Sequence, residues 1–135
     1  MLKKACLLIV WGFAQFYTAS LPAQDGESDN WISTTGRFQL SYDSQLDPIV
    51  INQIHSWTLH LSDAQGEPLS GARFVVDGGM PAHNHGLATA PAVEELGKGE
   101  YLLQGLRFHM MGYWELRMTI TQAGVSDTVL VTLNL

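Results

Sequence analysis

The chain is short of three things. Its 135 residues include one cysteine, seven Lys and Arg against thirteen Asp and Glu, and no long stretch of apolar residues at helical spacing. Without a 3.6-residue apolar period there is no helical bundle to build. The longest apolar run, Ala5 to Tyr17, is about 13 residues and is interrupted by Gln15, short of the roughly 20 needed to span a bilayer. The shortage of basic side chains excludes a positive stripe for phosphate backbones, so nucleic acid is not a partner. The lone cysteine, Cys6, stands at the start of the apolar run instead of following it, so the pattern is not that of a lipoprotein.

What is there at the N-terminus has the layout of a secretory signal peptide. Lys3 and Lys4 are followed by the apolar run and then by small residues. The sequence predicts a signal peptide over residues 1–20, cleaved near Ser20 or Ala23, an acidic flexible segment over 21–30, and one β domain over 31–135. The product is periplasmic or secreted, the alternative being a chain held to the membrane by an uncleaved N-terminus. Cleavage removes Lys3, Lys4 and Cys6, leaving five basic and thirteen acidic side chains and no thiol. With no thiolate left in an oxidising compartment, a soft metal has to be held by imidazole and thioether groups.

Beyond residue 30, short segments of high β-propensity alternate with turn signals. "GRFQLSYDS", "INQIHSWTLHLSD", "ARFVVDGG", the strand after Gly97-Lys98-Gly99, "GYWELRMTITQ" and "DTVLVTLNL" all read as strands. About seven strands in about 105 residues predict a single all-β domain, an antiparallel sandwich of immunoglobulin-like or cupredoxin-like type.

Two patches carry chemistry. "GGMPAHNHGLATAP" places Met80, His83 and His85 in a glycine- and proline-rich turn. If "LRFHMMGYWELRMTI" runs extended, Leu106, Phe108, Met110, Trp114, Leu116, Met118 and Ile120 share an apolar face, while His109 and Met111 project from the other. Residues i and i+2 on one strand face lie about 7 Å apart, within joint reach of one ion. Gly112 is the position at which a bulge or turn resets that alternation. Imidazole with thioether suits copper, above all Cu(I), better than magnesium or calcium, which want oxygen. Zinc takes the histidines and gains little from methionine. Each patch also has a plainer reading: a hydrogen-bonded turn for His83 and His85, a half-buried histidine for His109, core packing for Met80 and Met111. His55, on the face of Trp57, reads as a packed histidine, and His60 as solvent-facing.

"MPAHNHGLATAP" followed by "GEYLLQGLRFHMMGYWELRMTI" resembles the YtkA-like domain, related to the FixH group of cytochrome oxidase assembly proteins. The likeness lies in Met80-Pro81-Ala82-His83-Asn84-His85-Gly86, Thr89-Ala90-Pro91, Gly99-Glu100-Tyr101 and the run from Phe108 to Glu115. It implies an extracytoplasmic β-sandwich associated with copper and oxidase biogenesis. His109 and Met111 are also similar to the His-x-Met ending of periplasmic copper chaperones. Met111 stands where many relatives carry proline.

Two functions are therefore expected to compete. One is a periplasmic copper-binding protein, chaperone or sequestration factor, with His83, His85, His109, Met111 and Met80 as donors, Asn84 and Glu115 orienting the rings, and a membrane oxidase or copper transporter as recipient. The other is a metal-free immunoglobulin-like module that assists assembly of a membrane complex. The sequence does not read as an enzyme: the acids after "HNH" come too late for a cupin site, and no nucleophile has a recognisable setting.

Overall fold

Period-two alternation in the sequence becomes period-two burial. In the strand Tyr113–Gln122, Trp114, Leu116, Met118 and Ile120 are buried while Tyr113 and Arg117 are exposed. The computed structural model describes residues 29–135, so the signal peptide and most of the 21–30 segment lie outside the described residues. In chain order the strands are β1 (Trp31–Ile32), β2 (Phe38–Ser44), β3 (His55–Asp63), β4 (Arg73–Met80), β5 (His85–Gly86), β6 (Ala92–Gly97), β7 (Glu100–Leu106), β8 (Tyr113–Gln122) and β9 (Val125–Asn134). A single 3-10 turn, Pro81–His83, separates β4 from β5. Among the described residues no helix is long and apolar enough to cross a membrane.

All pairings are antiparallel. One sheet has the order β1-β2-β3-β7-β6, the other β5-β4-β8-β9, which gives the two-layer sandwich expected from the sequence. Among the described residues the count is nine strands, not about seven. Both β1 and β5 are two residues long, too short to show a period.

Between the layers, Phe38, Leu40, Trp57, Leu59, Leu61, Tyr101 and Leu103 from one sheet meet Trp114, Leu116, Met118, Ile120, Val129 and Val131 from the other. Two polar devices tie the layers at their margins. The Tyr101 hydroxyl donates to Leu69 O (2.7 Å) and accepts from Ala72 N (3.1 Å), fixing the crossing from β3 to β4. Asp127 accepts from Thr35 N (3.0 Å), Thr35 Oγ1 (2.6 Å) and Thr128 N (2.8 Å), which holds the turn after β1 against β9. Burial alone raises a carboxyl pKa, but the hydrogen bonds from Ser33, Thr35 and Thr128 outweigh it and hold Asp127 well below the ordinary carboxylate range. Beside it, Thr34 N donates to Thr128 O (2.9 Å).

Candidate metal site at one end of the sandwich

The first patch is a tight reversal of the chain. Met80 precedes a proline and stays extended (φ −107°, ψ 100°). Pro81 then opens the 3-10 turn, and Asn84 closes it in the left-handed region (φ 52°, ψ 35°), a conformation asparagine tolerates better than most residues. The chain returns as β5, pairing Met80 with His85 and Gly79 with Gly86, and Leu87 N donates to Gly78 O (3.0 Å). Gly79 permits this: a Cβ there would collide with the His85 carbonyl oxygen. The exposed rings of His83 and His85 stand 6.3 Å apart, centroid to centroid, at an interplanar angle of 25°.

The second patch is not a strand. Residues 107–112 form an irregular connector that leaves β7 in one sheet and enters β8 in the other. This corrects the reading of "LRFHMMGYWELRMTI" as one extended run. The connector ends at Gly112, whose φ of 126° side chains rarely adopt. Four bonds fix the connector: Asn52 N to Phe108 O (2.8 Å), the Trp114 indole Nε1 to Met110 O (3.0 Å), and the reciprocal pair of Gly112 and Leu135 (2.7 and 3.0 Å). Phe108 is buried and anchors the segment in the core.

His109 is thereby carried to His85. Their centroids are 5.7 Å apart with the rings at 85°, and the other side of His109 meets Trp114 edge-on at 5.3 Å. His109 Nδ1 is buried and has no hydrogen-bond partner among the described residues. With metal–nitrogen bonds of about 2.0 Å, two imidazoles on one ion have centroids no more than about 6.4 Å apart. Both adjacent separations fall within that limit. Among the described residues no group of three or more His, Cys, Asp or Glu side chains is placed to hold a metal ion; a site on these three rings would need the exposed His83 and His85 side chains to turn.

The methionines divide. Met80, expected as a donor, is buried at 1% exposure in the core, its Cε 3.0 Å from where a Gly112 Cβ would stand. Met111 is 69% exposed on the connector. Glu115, expected to orient an imidazole, instead accepts from the Tyr113 hydroxyl (3.2 Å), and desolvation followed by this carboxylate raises the tyrosine pKa. Asn84 acts through its backbone, as the left-handed residue that aims His85. Sequence reasoning did not place Trp114 at the site; the alternation assigned it to the core, where it lies, and gave no sign that it also walls His109. On the outer side, Gly79, His85, Glu115 and Arg117 help line an open groove of about 400 Å³.

Of the remaining histidines, His55 is buried, with Nδ1 3.1 Å from Gln53 O and its ring 5.7 Å from Phe108, and its Nε2, like His109 Nδ1, has no hydrogen-bond partner among the described residues. His60 faces outward between Asp43 (2.8 Å) and Glu100 (3.8 Å).

No curated protein matches the chain, and no solved structure does. A family model matches residues 32–119, which take in the histidine turn, the connector and most of β8. On that match the chain belongs to the YtkA-like family.

Proposed function

We propose that this is an extracytoplasmic copper-binding protein, holding Cu(I) in preference to Cu(II) as cargo to be delivered or sequestered. His83, His85 and His109 are the imidazole donors, and exposed Met111 supplies a thioether from the connector. Met80 packs beneath the site. A membrane oxidase or copper transporter is the recipient, and the signal-like N-terminus brings the chain to that compartment.

The observation that carries this reading is His109. A buried imidazole nitrogen without a partner costs about 1–3 kcal/mol, a cost that a bound ion offsets. That nitrogen belongs to the ring that meets His85 edge-on. Imidazole and thioether are the donor types this reading uses, and they favour a soft ion over a hard one. A metal-free docking role draws support from one feature, the exposed Met111 and Tyr113 beside the turn; docking that survives chelation is its signature.

The test is Cu(I) titration of the exported protein against a competing chelator, with Trp114 emission as a second readout because the indole adjoins His109. Wild type binds tighter than about 1 µM, and His85→Ala or His109→Ala each weakens binding at least about tenfold. Micromolar or weaker binding, or affinity unchanged in both variants, overturns the proposal.

A further inference from the structure

The long edge of β9 is left open by its own fold. Thr128 O accepts from Thr34, so it points away from β8. Antiparallel alternation then directs the N–H and C=O groups of Leu130, Thr132 and Asn134 away from β8 as well. The reciprocal bonds between Leu135 and Gly112 point inward, as that parity requires. β9 pairs only with β8 along this stretch, and among the described residues the three outward positions have no backbone partner.

Other edges carry the devices that discourage strand addition. β6 has Glu94, Glu95 and a register shift, β5 and β1 are two residues long, and the uncovered part of β4 carries Arg73 and Asp77. β9 has none of these after Asp127. "TVLVTLNL", Thr128 to Leu135, contains no charge and no proline, and its pairing with β8 is unbroken.

We infer that β9 pairs antiparallel with β9 of a second copy, about a two-fold axis through Thr132. In that register Thr132 faces Thr132 and Leu130 faces Asn134, so outward groups meet outward groups in about six N–H···O bonds. Faces are preserved: Val131 meets Leu133 of the second copy on the core side, and half-buried Leu133 and Leu135 gain cover. No charge opposes a charge. The two four-stranded sheets become one of eight, with β5 at both outer ends. The histidine sites stay open, so the pairing stands or falls apart from the copper reading. Because a five-residue strand pair is small beside a standard interface, the dimer is weak, with a Kd of roughly tens to hundreds of micromolar. The acidic surface makes it tighten with salt.

Sedimentation velocity of the metal-stripped exported protein, from about 5 to about 500 µM, tests this. Wild type shows a concentration-dependent dimer. Thr132→Pro deletes a donor that the monomer does not use, and Thr132→Lys sets like charges across the axis. Both retain the wild-type unfolding curve and weaken association at least about tenfold. Should the proline variant fail to fold, the exposed lysine variant decides. A wild type that stays monomeric at the highest concentration, or a dimer undiminished in Thr132→Lys, overturns the inference.

Discussion

Replacing Gly79 with alanine tests whether the glycine-permitted approach of β5 builds the site. The new methyl collides with the His85 carbonyl oxygen, with His85 C at 3.2 Å and Gly86 Cα at 3.3 Å also tight. Restoring van der Waals separation moves β5 by on the order of 1 Å. Among the described residues, β5 is held by the Gly79–Gly86 and Met80–His85 pairs and the Leu87–Gly78 bond. At about 1 kcal/mol net per hydrogen bond, freeing it costs about 1–3 kcal/mol. That cost falls on local opening, since the core strands are untouched, so Tm drops by no more than about 5 °C. His85 leaves His109, and Cu(I) affinity falls at least about tenfold. Gly86→Ala is the control: its Cβ meets nothing nearer than Gly78 O at 3.7 Å, an ordinary contact. Chelator competition, thermal unfolding by circular dichroism and exchange of the Leu87 amide read the three effects. If Gly79→Ala matches Gly86→Ala in all of them, the approach of β5 is not what positions His85.

Two further outcomes follow from the packing and the carboxylate staple. Met80→Leu keeps the buried volume, so unfolding and Cu(I) affinity stay within about threefold of wild type; a tenfold loss of affinity with the fold intact would make the thioether a donor. The depressed pKa of Asp127 means that its contribution is complete above the ordinary carboxylate value and is lost as pH falls below about 4. Asp127→Asn should unfold about 1.5–3 kcal/mol more easily at neutral pH and show a shallower loss of stability in acid, measured by urea titration across pH. An unchanged acid slope would refute the staple.

The even-numbered residues from Leu106 to Ile120 show what was legible and why. Alternation placed Leu106, Phe108, Met110, Trp114, Leu116, Met118 and Ile120 inside; Met110 is half-buried against the core and the other six are buried. The geometry behind it was different: Leu106 ends a strand of one sheet, and Trp114 lies in a strand of the other. Parity survives the crossing because both sheets face the same core. Period alone does not say that a chain has changed layers. The positive φ of Gly112 does, and the sequence flagged that glycine without resolving its effect. The two histidine patches were legible as residue types at two places in the chain, and the structure brings His85 and His109 together. The roles of the methionines were not legible, since a thioether reads the same whether it fills a core or faces solvent. The two-residue strands β1 and β5 exist through tertiary pairing, which leaves no local pattern.

His85 and His109 are separated along the chain by β6 and β7, both in the sheet opposite β5. An ion shared between them closes a loop that threads one layer and returns to the other, the topological task that a cross-sheet disulfide performs. Such a clip forms only when the layers are in register, and at a free-ion concentration of about 100 times Kd it adds about 2.7 kcal/mol to stability. Unlike a covalent bridge it opens by ligand exchange. On the proposed copper reading, a recipient that competes for the ion takes it and loosens one end of the sandwich in the same event.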